Sequence, residues 1–203
     1  MRTTGSILLL LGSASSLAAA VLPQLYPVWT SPVDEGLRVI RDEIGAWRLC
    51  TLLFLVGAGL VLVGLPLVFA AGTDPSRAPA MSAALALATT GTVLWIVNLA
   101  FRLSVTVRVA QGLGDAVPDW YLSAWGWVGA LWSVAAVLLG IGFAALGLLS
   151  ALSGSLPAWA GWTSVGVVAV AIGLLIFLQD TPPIVIYLAP VAWGVAVLLL
   201  RES

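Results

Sequence analysis

The 203 residues are 61% hydrophobic and only 8% charged, which is more apolar surface than a soluble monomer could expose to water. The composition therefore predicts an integral membrane protein. Its net charge of −1 comes from dispersed residues and forms no basic patch, so nucleic acid is not expected as a partner.

Six apolar stretches are long enough to cross a hydrocarbon layer of about 30 Å, which takes roughly 20 helical residues. They cover about 5–22, 49–71, 81–103, 121–149, 158–178 and 183–200. The chain is therefore predicted to be all-α: one transmembrane domain, 1–203, with six membrane-spanning helices and both termini on one side. The first stretch also has features of a secretory signal, since Arg2 precedes it and small residues follow at 18–20. We interpret it as a retained helix, and cleavage, which would leave five spans, stays open.

An amphipathic helix is predicted after the first span, at about 33–48. Prolines at 23, 27 and 32 interrupt the chain before it, and apolar side chains then recur every three or four positions among charged ones. Those apolar residues are Val33, Leu37, Ile40, Ile44 and Trp47. Ser31 is placed to cap the helix. We expect this helix to lie in the membrane interface or to cover one end of the bundle. A solvated helix packed on its neighbours and a gate over a binding site both remain open.

The fourth span carries small residues at helical spacing along one face. They are Gly129, Ser133, Ala136, Gly140, Ala144 and Gly147. Small residues let membrane helices approach closely, so this span is predicted to be central in the bundle, and a homodimer seam is the alternative. Shorter stripes occur in the first, second and fifth spans, at Gly12, Ser16 and Ala19, at Gly57 and Gly64, and at Gly166, Ala169 and Gly173.

The ten Trp residues fall into two predicted groups. Five lie close to span ends, where Trp anchors helices at the membrane surface: Trp29, Trp47, Trp120, Trp159 and Trp162. Trp95, Trp132 and Trp193 lie deeper. An indole N–H in hydrocarbon needs an acceptor, so we expect at least one of these three to face the interior of the bundle.

One cluster of residues in the third span has the character of a binding site. Trp95, Asn98 and Arg102 share a helical face, and an Arg at the edge of the membrane must snorkel or find a partner. The predicted acidic partners are Asp119 and Asp180. Two interpretations stay open: a structural arrangement around Arg102, or a site for an anionic head group or substrate.

Catalysis has little support in the sequence. The chain has no His, so a haem or zinc ligand of that type and a Ser/His/Asp base are both missing. All basic residues are Arg, which excludes a Schiff base, and Cys50 is the only Cys. We therefore expect no enzyme, no metal and no cofactor. The exception left open is a cofactor-dependent activity that needs neither His nor Lys.

The C-terminal part of the chain resembles a known family. The run SGSLPAWAGW at 153–162, a following apolar span, Pro183 and the closing AWGVAVLLLR at 192–201 are similar to small DUF4386-like multi-span membrane proteins of unknown function. The resemblance covers about a quarter of the chain. It implies a six-span bundle with a long first loop, and it implies no activity.

The functional prediction is a non-enzymatic membrane protein that binds a lipid or lipophilic ligand, or that acts as the membrane subunit of a complex. The alternative is a small transporter or channel with a polar path at Asn98, Arg102 and Asp180. Expected partners are membrane lipids and either a lipophilic small molecule or another membrane subunit, and a homo-oligomer stays open. The absence of Lys and the abundance of Ala, Gly and Val indicate a GC-rich prokaryotic gene. We therefore expect a multi-pass protein of a bacterial or archaeal cell membrane, with both termini cytoplasmic.

Overall fold

The computed structural model describes residues 1–70, 75–114, 116–178 and 183–200, and these contain helices and no strand. The predicted all-α bundle is confirmed. The α-helices are α1 (Arg2–Ala20), α2 (Tyr26–Thr30), α3 (Val33–Asp42), α4 (Ile44–Phe69), α5 (Ala78–Phe101), α6 (Val107–Gln111), α7 (Asp119–Ser153), α8 (Ala158–Leu178) and α9 (Pro183–Leu199). A 3₁₀ turn, Pro23–Leu25, precedes α2, and a π-helical turn, Arg102–Thr106, joins α5 to α6.

Five helical segments in the described part of the chain are long and apolar enough to cross a membrane. They are α1, α4, the continuous segment Ala78–Gln111, α7 and α8. This agrees with a membrane location and with the first five predicted spans. The sixth, α9, is apolar but has 17 residues. It therefore extends only about 26 Å, a little less than the hydrocarbon layer of about 30 Å.

The long helices form a closed antiparallel ring. Each packs on the next along the chain, in the order α1, α4, α5, α7, α8 and α9, and α9 packs on α1. The ring closes in part through a buried hydrogen bond of 2.6 Å, which the Ser6 hydroxyl of α1 donates to the Gly194 carbonyl of α9. Helix α7 contacts α5, α8 and, across the ring, α9.

Glycines at the helix crossings allow backbones to come into direct contact. A Cβ on Gly142 of α7 would lie 2.6 Å from the backbone nitrogen of Ala88 in α5. A Cβ on Gly12 of α1 would lie 2.8 Å from the carbonyl oxygen of Gly57 in α4. No side chain fits at such distances, so these glycines set how closely the helices pack.

The predicted small-residue stripe of α7 is divided between two environments. Gly147 and Gly140 lie against α8, where Cβ atoms would meet the Gly161 carbonyl at 2.7 Å and the side chain of Val168 at 3.3 Å. Ala136 is buried and Ala144 is half-buried. Gly129, in contrast, is exposed beside open space, and Ser133 is half-buried. Close packing on α5 uses Gly142, which lies outside the stripe.

The small-residue stripe predicted for α8 is wrong. Gly166 and Ala169 are exposed, and open space surrounds the Cβ positions of Gly166 and Gly173. Gly161 and Ser164 of α8 instead lie against Gly147 of α7. Because both the lipid-facing and the buried side of this helix are apolar, spacing alone did not identify the packed face.

The amphipathic helix is shorter than predicted. It ends at Asp42, and Glu43, with φ −113° and ψ 39°, separates it from α4. Residues 44–48 therefore begin α4, although their apolar positions continue the period of α3. The N-cap is Pro32 with no side-chain hydrogen bond, so the capping role predicted for Ser31 is wrong.

The deep Trp residues are buried as expected, and one predicted surface anchor is not at the surface. Trp95, Trp132 and Trp193 are 1%, 7% and 0% exposed. The Trp193 ring packs edge-on against Phe69 and Phe143, with ring centroids 4.9 and 5.2 Å away. Trp47, predicted as an anchor, is 1% exposed. The other four predicted anchors are exposed: Trp29, Trp120, Trp159 and Trp162.

Candidate functional site

Asn98 fixes Arg102 to the neighbouring helix. The Asn98 side chain is fully buried between α5 and α7. Its amide nitrogen donates to the Val128 carbonyl of α7 at 2.8 Å, and its amide oxygen accepts from Arg102 Nε at 2.7 Å. The four-residue spacing seen in the sequence therefore produces a direct contact, and both ends of the amide are used.

Three indole rings surround the Arg102 guanidinium. Its central carbon lies 5.3 Å from the ring centroid of Trp29, 5.6 Å from that of Trp95 and 5.7 Å from that of Trp125. These distances are typical of cation–π contacts, and such contacts strengthen where water is excluded. The three rings come from α2, α5 and α7, so the cation joins three separate elements.

The backbone around Arg102 is also unusual. Arg102 begins the π-helical turn, and π-helical turns within α-helices occur often at functional sites. The buried indole of Trp47 donates to the Arg102 carbonyl at 3.2 Å. Trp47 thus connects the start of α4 to the irregular part of the α5–α6 segment.

A pocket of about 340 Å³ lies between α3 and α7, with Arg102 in its wall. Helices α2 and α3 form one side of this α3–α7 pocket, and the N-terminal part of α7 forms the other. The lining residues are Val28, Trp29, Ser31, Val33, Gly36, Leu37, Ile40, Arg102, Tyr121, Trp125, Val128, Gly129, Trp132 and Ser133. Arg102 is the one charged side chain among these described lining residues. Trp29 and Gly129 are exposed as well as pocket-lining, so the pocket reaches the molecular surface.

The helix lengths can be compared with the thickness of a hydrocarbon layer. Segment Ala78–Gln111 and α7 contain 34 and 35 residues, so each extends about 50 Å. Arg102 lies about 36 Å along the helix axis from Ala78, and Gly129 lies a similar distance from Ser153. A hydrocarbon layer about 30 Å thick that began at the Ala78 end of this segment would end close to the pocket.

The structure joins three of the five residues predicted for the site. Trp95, Asn98 and Arg102 are in contact, and Trp95 also packs on the pocket residue Trp132, with ring centroids 4.4 Å apart. Asp119 is exposed in the first turn of α7 and is not among the pocket-lining residues. Asp180 lies outside the described residues.

The sequence interpretation missed the α7 side of the pocket. Tyr121, Trp125, Val128 and Trp132 recur at spacings of four, three and four, which places them on one helical face. The spacing of these four residues is visible in the sequence, but the prediction for this helix used its small residues instead. The role of Trp29 had no comparable signal, because it depends on how α2 folds back over the bundle.

The described residues include no group of three or more His, Cys, Asp or Glu side chains positioned to hold a metal ion. Aromatic and aliphatic side chains line most of the pocket, beside the polar side chains of Ser31, Arg102, Tyr121 and Ser133. Among these described lining residues, no nucleophile is paired with a base.

Comparison of the chain with protein-family models, with curated proteins and with solved structures gives no match. The resemblance of its C-terminal part to DUF4386-like proteins therefore stays a prediction, and the functional argument depends on the pocket.

Proposed function

We propose that this protein is a non-enzymatic membrane protein that binds a lipophilic ligand in the α3–α7 pocket. The observation that supports the proposal is the pocket itself, which reaches the molecular surface. Aromatic and aliphatic side chains line it beside a few polar ones: Ser31, Arg102, Tyr121 and Ser133. Its volume of about 340 Å³ lies in the usual range for small-molecule sites, roughly 300–1,000 Å³.

The surroundings of the pocket suit entry from the lipid. Tyr26 and Trp29 on α2, and Trp120, Leu122 and Trp127 on α7, are exposed large side chains on the two helices that border the pocket. Aromatic side chains of this kind favour the membrane–water boundary. Helix α3 packs on α4 and α6, and the pocket occupies the space that separates α3 from α7.

The proposal is tested by filling the pocket from the α7 side. No atom lies within 4 Å of a Cβ placed on Gly129, which lines the pocket, or on Gly126, which does not. Both glycines are exposed in the same helix, so Gly126→Leu is a matched control for Gly129→Leu. The backbone strain and the gain in helix propensity are alike, and only one of the two leucines enters the pocket.

The probe is 11-bromo-1-undecanol, a neutral amphiphile whose bromine quenches Trp fluorescence on contact. With the protein in nanodiscs of defined lipid composition, we expect saturable quenching for the wild type and for Gly126→Leu. Gly129→Leu should lose the saturable component. Equal saturable quenching in both leucine variants, or none in the wild type, would refute binding at this pocket.

Native mass spectrometry of the protein released from its own membrane separates this proposal from a role as the subunit of a complex. A retained lipophile that Gly129→Leu loses supports the pocket, and a protein partner retained without any lipophile opposes it. The polar-path alternative has less support, because Asn98 is fully buried and both ends of its amide are occupied. Unchanged solute flux in Asn98→Leu proteoliposomes would remove that alternative.

A further inference from the structure

We infer that a water molecule is bound inside the helix bundle, hydrogen-bonded to Ser13 and Ser16 of α1, Trp95 of α5 and Tyr187 of α9. These four residues are not among those that line the α3–α7 pocket, so the water site is independent of the proposed function.

Polar groups from three helices lie in this part of the interior without completing hydrogen bonds. None of the four side chains is more than 4% exposed. The Ser13 and Ser16 hydroxyls and the Trp95 indole nitrogen have no hydrogen-bond partner among the described residues. The Tyr187 hydroxyl lies next to both Ser16 and Trp95, but neither contact has full hydrogen-bond geometry. Because a buried polar group loses its bonds to solvent, each of these groups needs a partner that the described helices do not provide.

The two serines differ from three other buried hydroxyls in the long helices. A hydroxyl in a helix can satisfy itself by donating to the carbonyl four residues earlier. Thr51, Thr92 and Ser164 do so, at 2.8–3.0 Å. Ser13 and Ser16 have a carbonyl at the same spacing and do not bond to it. Both hydroxyls are therefore available to a ligand in the interior.

The register of the helices brings the site together. The hydrogen bond between Ser6 and Gly194 fixes the alignment of the antiparallel helices α1 and α9. Ser13 follows Ser6 by seven residues, which is about two turns or roughly 10.5 Å. Tyr187 precedes Gly194 by the same number of residues, so it lies at the level of Ser13. Helix α5 stands opposite α9 in the ring, and Trp95 reaches Tyr187 across the interior.

The donors and acceptors of the site match a water molecule. The Trp95 indole can only donate a hydrogen bond, whereas each of the three hydroxyls can donate or accept. The ligand must accept from the indole and also exchange bonds with hydroxyls, as a buried water does with about three partners. None of the four side chains is charged at neutral pH, so a neutral ligand suits the site better than an ion. A water at this position links α1, α5 and α9.

Oxygen-17 relaxation dispersion tests for this water. The nucleus belongs to water alone, so exchange of hydroxyl protons does not imitate a bound molecule. The low-frequency part of the signal is proportional to the number of water molecules that stay in the protein longer than it takes to tumble. Other internal waters add to this signal, so the measurement compares variants of the protein in nanodiscs.

The test variant removes three oxygen atoms and no carbon atom, through Ser13→Ala, Ser16→Ala and Tyr187→Phe together. It leaves the Trp95 N–H as the one remaining partner of the four, which is too few to hold a water. We expect this variant to lose the signal of one long-lived water. The control variant also removes three buried hydroxyls, each of which bonds within its own helix, and should keep the wild-type signal: Thr51→Val, Thr92→Val and Ser164→Ala.

An unchanged oxygen-17 signal in the test variant, or an equal loss in the control variant, would overturn the inference. The melting temperature is a second readout. Removal of hydroxyls that bond to a water should lower it, whereas removal of unbonded hydroxyls from a dry interior should raise it, and a rise would also overturn the inference.

A wild-type structure that resolves ordered water decides the matter if the test variant does not fold. A water oxygen within about 3.2 Å of Trp95 Nε1 and of at least one of the three hydroxyls would support the inference. Direct hydrogen bonds among the four side chains, with no water between them, would overturn it.

Discussion

Replacement of Asn98 by Leu tests whether the contact between α5 and α7 depends on the buried amide. Leu branches at the same carbon as Asn and is larger, so the substitution leaves no cavity and adds some steric strain. It also removes two hydrogen bonds, to the Val128 carbonyl and from Arg102. We expect lower stability, because Arg102 Nε loses its acceptor in a part-buried position.

The magnitude follows from the two partners. A hydrogen bond to a charged group contributes about 1.5–3 kcal/mol. The Val128 carbonyl lies within a helix and keeps its backbone partner, so its share is close to the membrane-protein average of about 0.6 kcal/mol. We therefore expect Asn98→Leu to lower the free energy of unfolding by about 2–3.5 kcal/mol, to which the strain from the larger side chain adds.

Steric trapping of the protein in bicelles measures this change in the free energy of unfolding. Ser133→Ala is the control, because the Ser133 hydroxyl donates, among the described residues, to the carbonyl of Gly129 one turn earlier in the same helix. Its effect should stay within about 0.5 kcal/mol. In a double-mutant cycle with Arg102→Met, we expect a coupling of about 1–2 kcal/mol. An effect of Asn98→Leu no larger than that of Ser133→Ala would refute the reasoning.

Three further substitutions test the packing of the bundle. Gly142→Ala places a methyl group against the backbone of α5 and should lower stability by about 1–3 kcal/mol, measured by thermal unfolding. Its control, Gly166→Ala, lies in open space and should be neutral or stabilising by up to about 1 kcal/mol. Equal effects of the two substitutions would contradict the assigned crossing of α7 and α5. Ser6→Ala removes the hydroxyl that donates to the Gly194 carbonyl and should lower stability by about 0.6–1.7 kcal/mol in the same assay. An unchanged melting temperature would count against that link between α1 and α9. Trp47→Phe replaces the buried indole by a smaller aromatic ring and removes its N–H, so the lost hydrogen bond and the small cavity should together cost about 2 kcal/mol. Amide exchange at the π-helical turn should become faster, and unchanged exchange there would mean that the indole N–H does not stabilise this turn.

Hydropathy, together with the helix-breaking proline and glycine residues between the apolar stretches, determined most of the secondary structure. Backbone polar groups in lipid must be satisfied within the segment, so a long apolar stretch has few options besides a helix. The predicted spans agree with the observed helices to within a few residues at most ends. The main error at this level is the helix predicted at 33–48, because the apolar period continues across the break at Glu43 and periodicity alone does not detect a change of direction.

The sequence predicted the part of the candidate site that depends on a single helix. Asn98 and Arg102 are four residues apart, so their contact follows from helical geometry. The Trp29 and Trp125 rings, which lie 96 positions apart in the chain, reach Arg102 only because α2 folds over the bundle and α7 runs antiparallel to α5. No spacing rule links them.

The sequence by itself determined that this is an all-helical bundle of apolar segments, with an amphipathic segment after the first and a polar cluster near one end of the third. Only the tertiary structure decided which glycines lie at the helix crossings, that α3 and α7 enclose a pocket, and which aromatic rings surround Arg102. The physical reason is that lipid and protein interior are both apolar environments. An apolar position is favourable in either one, so the choice between them is made by packing rather than by hydrophobicity.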